Sequence, residues 1–484
     1  MSINSQTSIV AAAEHLRALP RALMGGTQTM RAARTLYLPQ EKAESTESYD
    51  NRMSRSFLFN GFSKTIQNMA GKIFTKGIAL GKDMPPDLTM YTENIDLAGR
   101  DLNMFAYDVF CDALANGISY ILVDMAPATG AIITKAQEKA SNRRPWLVNV
   151  KAQQVLGWRA TDINGVETLT QFRFRNDTCE PDGDFGEKIV KQITVFLRGP
   201  DGTHCRTYRQ SDAGAWFVYE DIALTLPDIP ICPVYINRTG FMDGLPPLLG
   251  LAEVNLAHWQ SQSDQRNILH FARVPLLFGA GWSDDPSALE LGAGRMLVQS
   301  AADAKLTYVE HSGASIGAGR DDLKDLEFQM QVLGLELLVP KQSAQSATGA
   351  ALDASKMNAP LAMMAKALED ALEQAFQFMA QYAGIIMPED GGSIEVNKDF
   401  GVGYGDFRDL TVLMQLVTAG GLSRETMIRE LQRRGNLMES IDPNEEVLKA
   451  MNEMTTPDPF ANDTSPGNSN PTSVGYDTLT GALA

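Results

Sequence analysis

Apolar positions recur at helical spacing in two early stretches, residues 8–36 and 49–74. In the second, Phe57, Phe59, Phe62, Ile66, Met69 and Ile73 fall mostly three or four residues apart. Pro20 reads as a breaker, Gly25-Gly26 as a loop, Tyr37-Leu38-Pro39 as a turn and residues 40–48 as a polar run. Gly77, Gly81 and Pro85-Pro86 close the second stretch, and residues 94–116 form a third amphipathic helix ended by Gly117. The period then changes. Short runs rich in β-formers at 118–124, 146–150, 155–159, 169–174 and 189–197 predict strands, with weaker candidates at 216–219 and 234–237. Asn164-Gly165 between two of them is a hairpin turn signal. The middle third is therefore expected to be an α+β region with a mostly antiparallel sheet.

Helical patterning resumes after Pro246-Pro247. Residues 248–271 span about 36 Å at ~1.5 Å per residue. The centre of this helix, from Gln260 through Ser261, Gln262, Ser263, Asp264, Gln265 and Arg266 to Asn267, has no apolar residue. A helix packed on a globular core shows an apolar stripe there, so this one is expected to meet like helices and water on several sides. Residues 274–316 look extended and Gly-rich. Residues 321–338 read as a helix, in which Leu323, Leu326, Met330, Leu333 and Leu337 make a heptad-like seam. Asp321, Asp322 and Asp325 are placed in its first turn, where carboxylates favour the dipole. The small polar run Pro340 to Gly349 separates it from a helix over 350–384. There Leu361, Met364, Leu368, Leu372, Phe376 and Met379 form one stripe, and Pro360 is placed to kink the axis. Residues 394–396 suit a single returning strand. Helices follow over 406–419, from an N-cap at Ser423 to Gly435, and over 444–454. From Thr455 onward there is no Lys or Arg and many Pro, Ser, Asn and Gly, the composition of a disordered tail. No internal repeat is visible.

The 484 residues call for more than one structural region. No apolar run approaches the roughly 18 residues needed to span a bilayer, and no signal peptide is recognised, so a cytoplasmic site of action or assembly is expected. Cys111, Cys179, Cys205 and Cys232 are too far apart for a zinc ribbon or redox pair and read as reduced thiols. The formal net charge of −17 argues against a grip on DNA phosphates, yet it suits a smooth passage that keeps a duplex centred.

Tests for chemistry fail one after another. Gly313-Ala314-Ser315-Ile316-Gly317 matches GxSxG, but no His follows Ser315, and a flexible loop is the better reading. No phosphate loop GxxxxGK[ST] exists. Asp182-Gly183-Asp184 with Glu187 resembles an acidic calcium turn, but Ile193 stands at the twelfth position, and a solvated turn fits better. Gly401, Gly403 and Gly405 lack the dinucleotide spacing. His258 and His270, twelve residues apart, cannot be an i, i+4 ligand pair and are taken as surface or interface residues. The expectation is a non-enzymatic chain with no cofactor and no metal.

Several stretches in order resemble the portal protein of tailed bacteriophages, in a portal-related subgroup known as a domain of unknown function. They are Tyr37-Leu38-Pro39, Glu44 and Tyr49-Asp50-Asn51-Arg52, with Phe59-Asn60-Gly61-Phe62 and Gly71-Lys72-Ile73-Phe74. The series continues with Pro246-Pro247-Leu248-Leu249, Asn255-Leu256, His258-Trp259, Ser263-Asp264, Asn267 and Leu269-His270. Residues 350–384 and the run from Gly421-Leu422-Ser423 to Arg433-Arg434-Gly435 complete it.

The resemblance implies an α+β, mainly helical portal-type subunit. Residues 1–36 would be an N-terminal helical segment, 37–245 an α/β wing and 246–273 a first stem helix. Residues 274–316 would be a small β-containing clip and 317–338 a second stem helix. Residues 339–349 would form a tunnel loop, 350–405 a long kinked helix returning to the wing, 406–454 a helical crown and 455–484 a disordered tail. It implies a ring, commonly of twelve subunits, at one capsid vertex of the virion, assembled in the host cytoplasm. Double-stranded DNA would pass through it during packaging and ejection. Terminase, major capsid or scaffold protein and tail adaptor proteins are the implied partners, and no membrane is involved. Lys341, Gln342, Ser343, Gln345 and Ser346 would face the DNA in the tunnel loop, with Lys341 touching phosphates weakly. Gln260, Gln262, Asp264, Arg266, Leu326, Met330 and Leu333 would line subunit contacts or the lumen of the stem. Twelve copies would carry a formal charge of roughly −200, a wall that repels DNA. The competing readings are another ring-forming virion connector without a DNA-gating loop, and a soluble enzyme with an unfamiliar pocket.

Overall fold

The computed structural model describes residues 2–127, 143–273, 276–280, 305–309, 313–335, 347–388, 392–398, 400, 407–433, 437 and 441–455. Helices and strands are mixed, with about half of the chain helical. The chain divides into two compact units, Met1–Phe400 and Gly401–Ala484.

The first unit opens with α1 (Ser8–Met24) and α2 (Gly26–Ala32). Pro20 does not break α1. It lies buried inside the helix beside Arg17 and Leu23. Its ring already holds a helical φ, and tertiary packing outweighs the single hydrogen bond it removes. The break falls instead at Gly25-Gly26, where Gly26 takes a φ of 73°. The stretch expected as one helix over 49–74 is two, α3 (Thr46–Arg55) and α4 (Gly61–Ile73). Ser56 is extended, and the Asn60 side chain accepts from Ser63 N to cap α4 afresh. Phe57 and Phe59 thus belong to a link rather than to a helix face.

Strand β1 (Ala79–Leu80), α5 (Pro86–Tyr91) and α6 (Leu102–Asn116) follow. The third helix begins later than its periodicity suggests because Asp101 caps it, accepting from Met104 N at 2.7 Å. Strands β2 (Ile118–Met125) and β3 (Pro145–Val150) form an antiparallel sheet with β11 (Ile231–Tyr235), in the order β11-β2-β3. Between them come β4 (Val155–Ile163), β5 (Val166–Arg175), β6 (Thr178–Asp182), β7 (Gly186–Val190), β8 (Gln192–Gly199), β9 (Gly202–Gln210) and β10 (Trp216–Ala223). Five of these make an antiparallel sheet in the order β10-β9-β8-β5-β4, and β6 pairs with β7 alone. Asn164 and Gly165 turn β4 into β5 with φ of 57° and 82°, as the dipeptide predicts. The single strand expected over 189–197 is two strands, β7 and β8. Strand β9 escaped the pattern because its residues, Thr-His-Cys-Arg-Thr-Tyr-Arg, show no apolar alternation.

After the short pair β12 (Arg238–Gly240) and β13 (Asp243–Gly244) comes α7 (Leu249–Ala272). Strands β14 (Leu276–Ala280) and β15 (Lys305–Val309) pair antiparallel. Helix α8 (Ala314–Met330) then continues as one π turn over residues 331–335. It starts seven residues before its expected N-terminus. The GxSxG stretch therefore lies not in a flexible loop but in the N-cap and first turn of α8, while Asp321, Asp322 and Asp325 lie deeper in the helix. Helix α9 (Ala347–Ala383) contains Pro360. Its expected stripe is buried at Leu361, Leu368, Leu372, Phe376 and Met379, and half-buried at Met364. It packs against β2, β3 and β11. The returning strand β16 (Ile394–Glu395) pairs with β1. Buried Glu369 ties it down by accepting from Val396 N at 3.0 Å and from Lys398 Nζ at 2.8 Å.

The second unit holds α10 (Phe407–Thr418), α11 (Arg424–Arg433) and α12 (Pro443–Thr455). Ser423 caps α11 as its position predicts, with Oγ accepting from Thr426 N at 3.1 Å. Among the described residues no helix is long and apolar enough to cross a membrane. The tunnel-loop residues Lys341, Gln342, Ser343, Gln345 and Ser346, most of 274–316, the glycines at 401–405 and the tail from 456 lie outside the described residues.

Candidate functional site

The polar centre of α7 is the most unusual feature of the sequence, and the structure satisfies much of it within the chain. Asn255 Oδ1 accepts from Phe62 N at 2.9 Å, and its Nδ2 donates to Phe59 O at 2.8 Å. Gln260 donates to Tyr37 O at 3.1 Å. Buried Ser263 accepts from Ser56 Oγ at 2.7 Å. Arg266 lies over the Phe57 ring, 3.9 Å from its centroid. A polar stripe matched to polar partners avoids the cost of orphaned buried groups and does not need copies of the chain. On one side, then, the polar centre expected to meet like helices and water on several sides meets polar groups of its own chain.

Arg52 is the hub. Its side chain is 5% exposed and that of its partner Glu44 is 11% exposed. Arg52 donates to both Glu44 oxygens at 2.8 Å, to Pro39 O at 2.8 Å and, more loosely, to Ser263 Oγ and Asp264 Oδ1, each at 3.4 Å. Tyr49 donates to Leu38 O at 2.8 Å and lies beside the guanidinium. The stretches Tyr37-Leu38-Pro39, Glu44 and Tyr49-Asp50-Asn51-Arg52 thus form one clamp that docks α3 on α7. The hydrogen bonds from Arg52 hold the Glu44 carboxyl below its ordinary value, and Glu44 in turn raises Arg52.

Helix α8 lies along the other side of α7. Ser261 donates to Asp322 Oδ2 at 2.5 Å and Gln265 to Ile316 O at 2.9 Å. Approach is close at Gly319, where a Cβ would sit 2.2 Å from Gln265 Oε1. An open groove of about 410 Å³ runs between the two helices, lined by Ser261, Asp264, Gln265, Ser315, Asp322 and Leu326 among others. Elsewhere on α8 Phe328 is 65% exposed, and in the π turn that follows Leu333 is 44% exposed, with Val332 also exposed.

The residues expected in the stem therefore separate. Gln260, Asp264 and Leu326 share the groove. Gln262 is half-buried, and its Oε1 is without a hydrogen-bond partner among the described residues. Leu333 is exposed. Met330 is fully buried, with its sulfur against Gly61 of α4, so it is core and faces no lumen. Arg52 and Glu44, missed as site residues, carried no signal beyond their place in a resembling motif.

His258, expected at a surface or interface, is 1% exposed, with Nε2 3.5 Å from Glu327 Oε1 of α8 and its ring 5.1 Å from that of Phe59. Among the described residues neither ring nitrogen has a hydrogen-bond partner. Burial pushes the imidazole below its ordinary 6.5, and Glu327 and Asp322 oppose that shift. A base with a depressed folded-state value contributes stability that is complete above the unfolded value and is lost as pH falls below it. Urea unfolding should therefore show a lower midpoint at pH 5.5 than at 7.5, and a smaller loss in His258→Gln. Parallel losses in both chains would assign the effect to another group.

Comparison with known proteins adds the following. Residues 247–383 match the family profile of a domain of unknown function (DUF4055). The matched segment runs from the residues before α7 to the end of α9, and so contains the groove. No curated protein matches. Among solved structures, a chain from "Neck of native GTA particle computed with C12 symmetry" is similar at 12% identity with a TM-score of 0.39, over 77% of this chain and 89% of that one.

Proposed function

We propose that this chain is a portal subunit. Copies form a ring at one capsid vertex, through which viral DNA is packaged and ejected and to which terminase and tail adaptors attach. In this reading the chain has no catalytic role, and its anionic charge lets DNA slide. The order of resembling motifs supports it, and the observation that carries it is the outer face of α8. Phe328 of α8, with Val332 and Leu333 of the π turn that continues it, stand exposed on a segment whose other side is already committed to α7. Covering a large apolar side chain contributes about 1.5–3 kcal/mol, so a few such residues repeated around a ring supply a large part of an interface.

Negative-stain images and native mass of the purified chain should show a ring with a central hole. The double variant Phe328→Asp/Leu333→Asp should stay folded by circular dichroism and remain monomeric. A wild-type chain that stays folded and solitary under every assembly condition would end the proposal.

A further inference from the structure

The β6–β7 hairpin carries a second surface. Its register places Cys179 opposite Ile189, Glu180 opposite Lys188 and Pro181 opposite Glu187. Side chains alternate between faces along a strand, so the two sides of this hairpin differ. On one side Glu180 pairs with Arg209 of β9 at 2.8 Å, and Lys188 with Asp212 of the β9–β10 turn at 2.7 Å. These pairs fasten the hairpin, which as a lone two-stranded ribbon has little stability of its own. The other side holds Cys179, Pro181, Glu187 and Ile189, with Phe185 in the turn just before β7. Cys179 Sγ lies 3.4 Å from Glu187 Oε2, which confirms the shared face. All five are exposed, Ile189 by 71% and Phe185 completely.

We propose that this face docks a different protein, one presenting an apolar surface with a Lys or Arg set to meet Glu187. The apolar side chains supply contact area, and charge selects the partner. Glu187 forms no ion pair among the described residues, while the Lys188 charge, on the other side, is engaged by Asp212. A second copy of this chain docked face to face on the same hairpin would bring the same Glu187 carboxylate. Like charges brought together at an interface oppose association, so a cationic partner is favoured over self-contact. The proposal rests on the portal reading only for where the partner is sought, namely in the assembly that contains the ring.

The test places the photo-crosslinker p-benzoylphenylalanine at position 185 of the full chain. The assembly recovered from producing cells is irradiated and the adduct mapped by mass spectrometry. The expected product is a crosslink to a different polypeptide, within a segment that contains Lys or Arg. Glu187→Lys should reduce its yield about fivefold without changing ring formation. N-ethylmaleimide should label Cys179 about tenfold more slowly in the assembly than in the isolated chain, because docking covers the thiol. An adduct to another copy of this chain overturns the proposal, and so does no adduct with Cys179 labelled at the isolated rate. Rings with a free hairpin sink this proposal alone, whereas a crosslink to a different protein without rings supports it and sinks the portal reading.

Discussion

Arg52→Ala is expected to destabilise the first unit by about 3 kcal/mol, because removing one partner of a buried ion pair leaves the other buried and uncompensated. Glu44 would be left without its two hydrogen bonds, Pro39 O would lose its donor, and the polar centre of α7 would lose a contact to Ser263. Arg52→Lys should recover only part of the loss, since an ammonium group cannot reproduce the fork that spans both Glu44 oxygens. Urea unfolding at pH 7 measures both. The pH dependence gives a separate check. Glu44 has a folded-state value held below the ordinary 4.5, so its contribution is complete above that value and is lost as pH falls through the depressed one. The acid-side loss should therefore be smaller in Arg52→Ala. An Arg52→Ala chain with unchanged midpoint and unchanged acid profile would show that the clamp does not hold α3 on α7.

Gly117→Ala is expected to cost as much or more. Gly117 ends α6 with a φ of 83°, a left-handed conformation that costs an L-residue about 1–2 kcal/mol. A Cβ there would also lie 2.1 Å from the carbonyl oxygen of Leu245, a backbone atom that cannot rotate away. The Gly117 carbonyl meanwhile accepts from Ile236 N and Asn237 N, so the main chain is held from both sides. Strain and clash together should exceed about 3 kcal/mol, among the large effects single substitutions produce. Gly71→Ala is the control. It lies in α4 with nothing within 4 Å of a new Cβ, and should be neutral or stabilising by up to about 1 kcal/mol. Thermal unfolding of the three chains in parallel tests the contrast. Equal midpoints for Gly117→Ala and the wild type would mean that the chain at α6, β11 and β13 can shift apart at little cost.

Sequence alone determined the elements governed by local rules. The long α7, the buried stripe of α9, the Asn164-Gly165 hairpin, the returning strand at Ile394 and the Ser423 cap all follow from period, turn chemistry or capping, which act over a few residues. Only the tertiary structure decided the rest. A polar run at the centre of a helix is compatible with a wet ring interior or with polar partners in the same chain. Here Arg52 and Ser56, more than two hundred residues earlier in the sequence and invisible to any local window, supply partners of the second kind to Ser263. The same holds for Pro20, whose disruption of α1 is outweighed by packing, and for Met330, whose place in a heptad-like seam could not show that α4 buries it. Local preferences amount to fractions of a kcal/mol per residue, whereas burial and satisfied polar contacts contribute more at each site, and so the distant contacts prevailed.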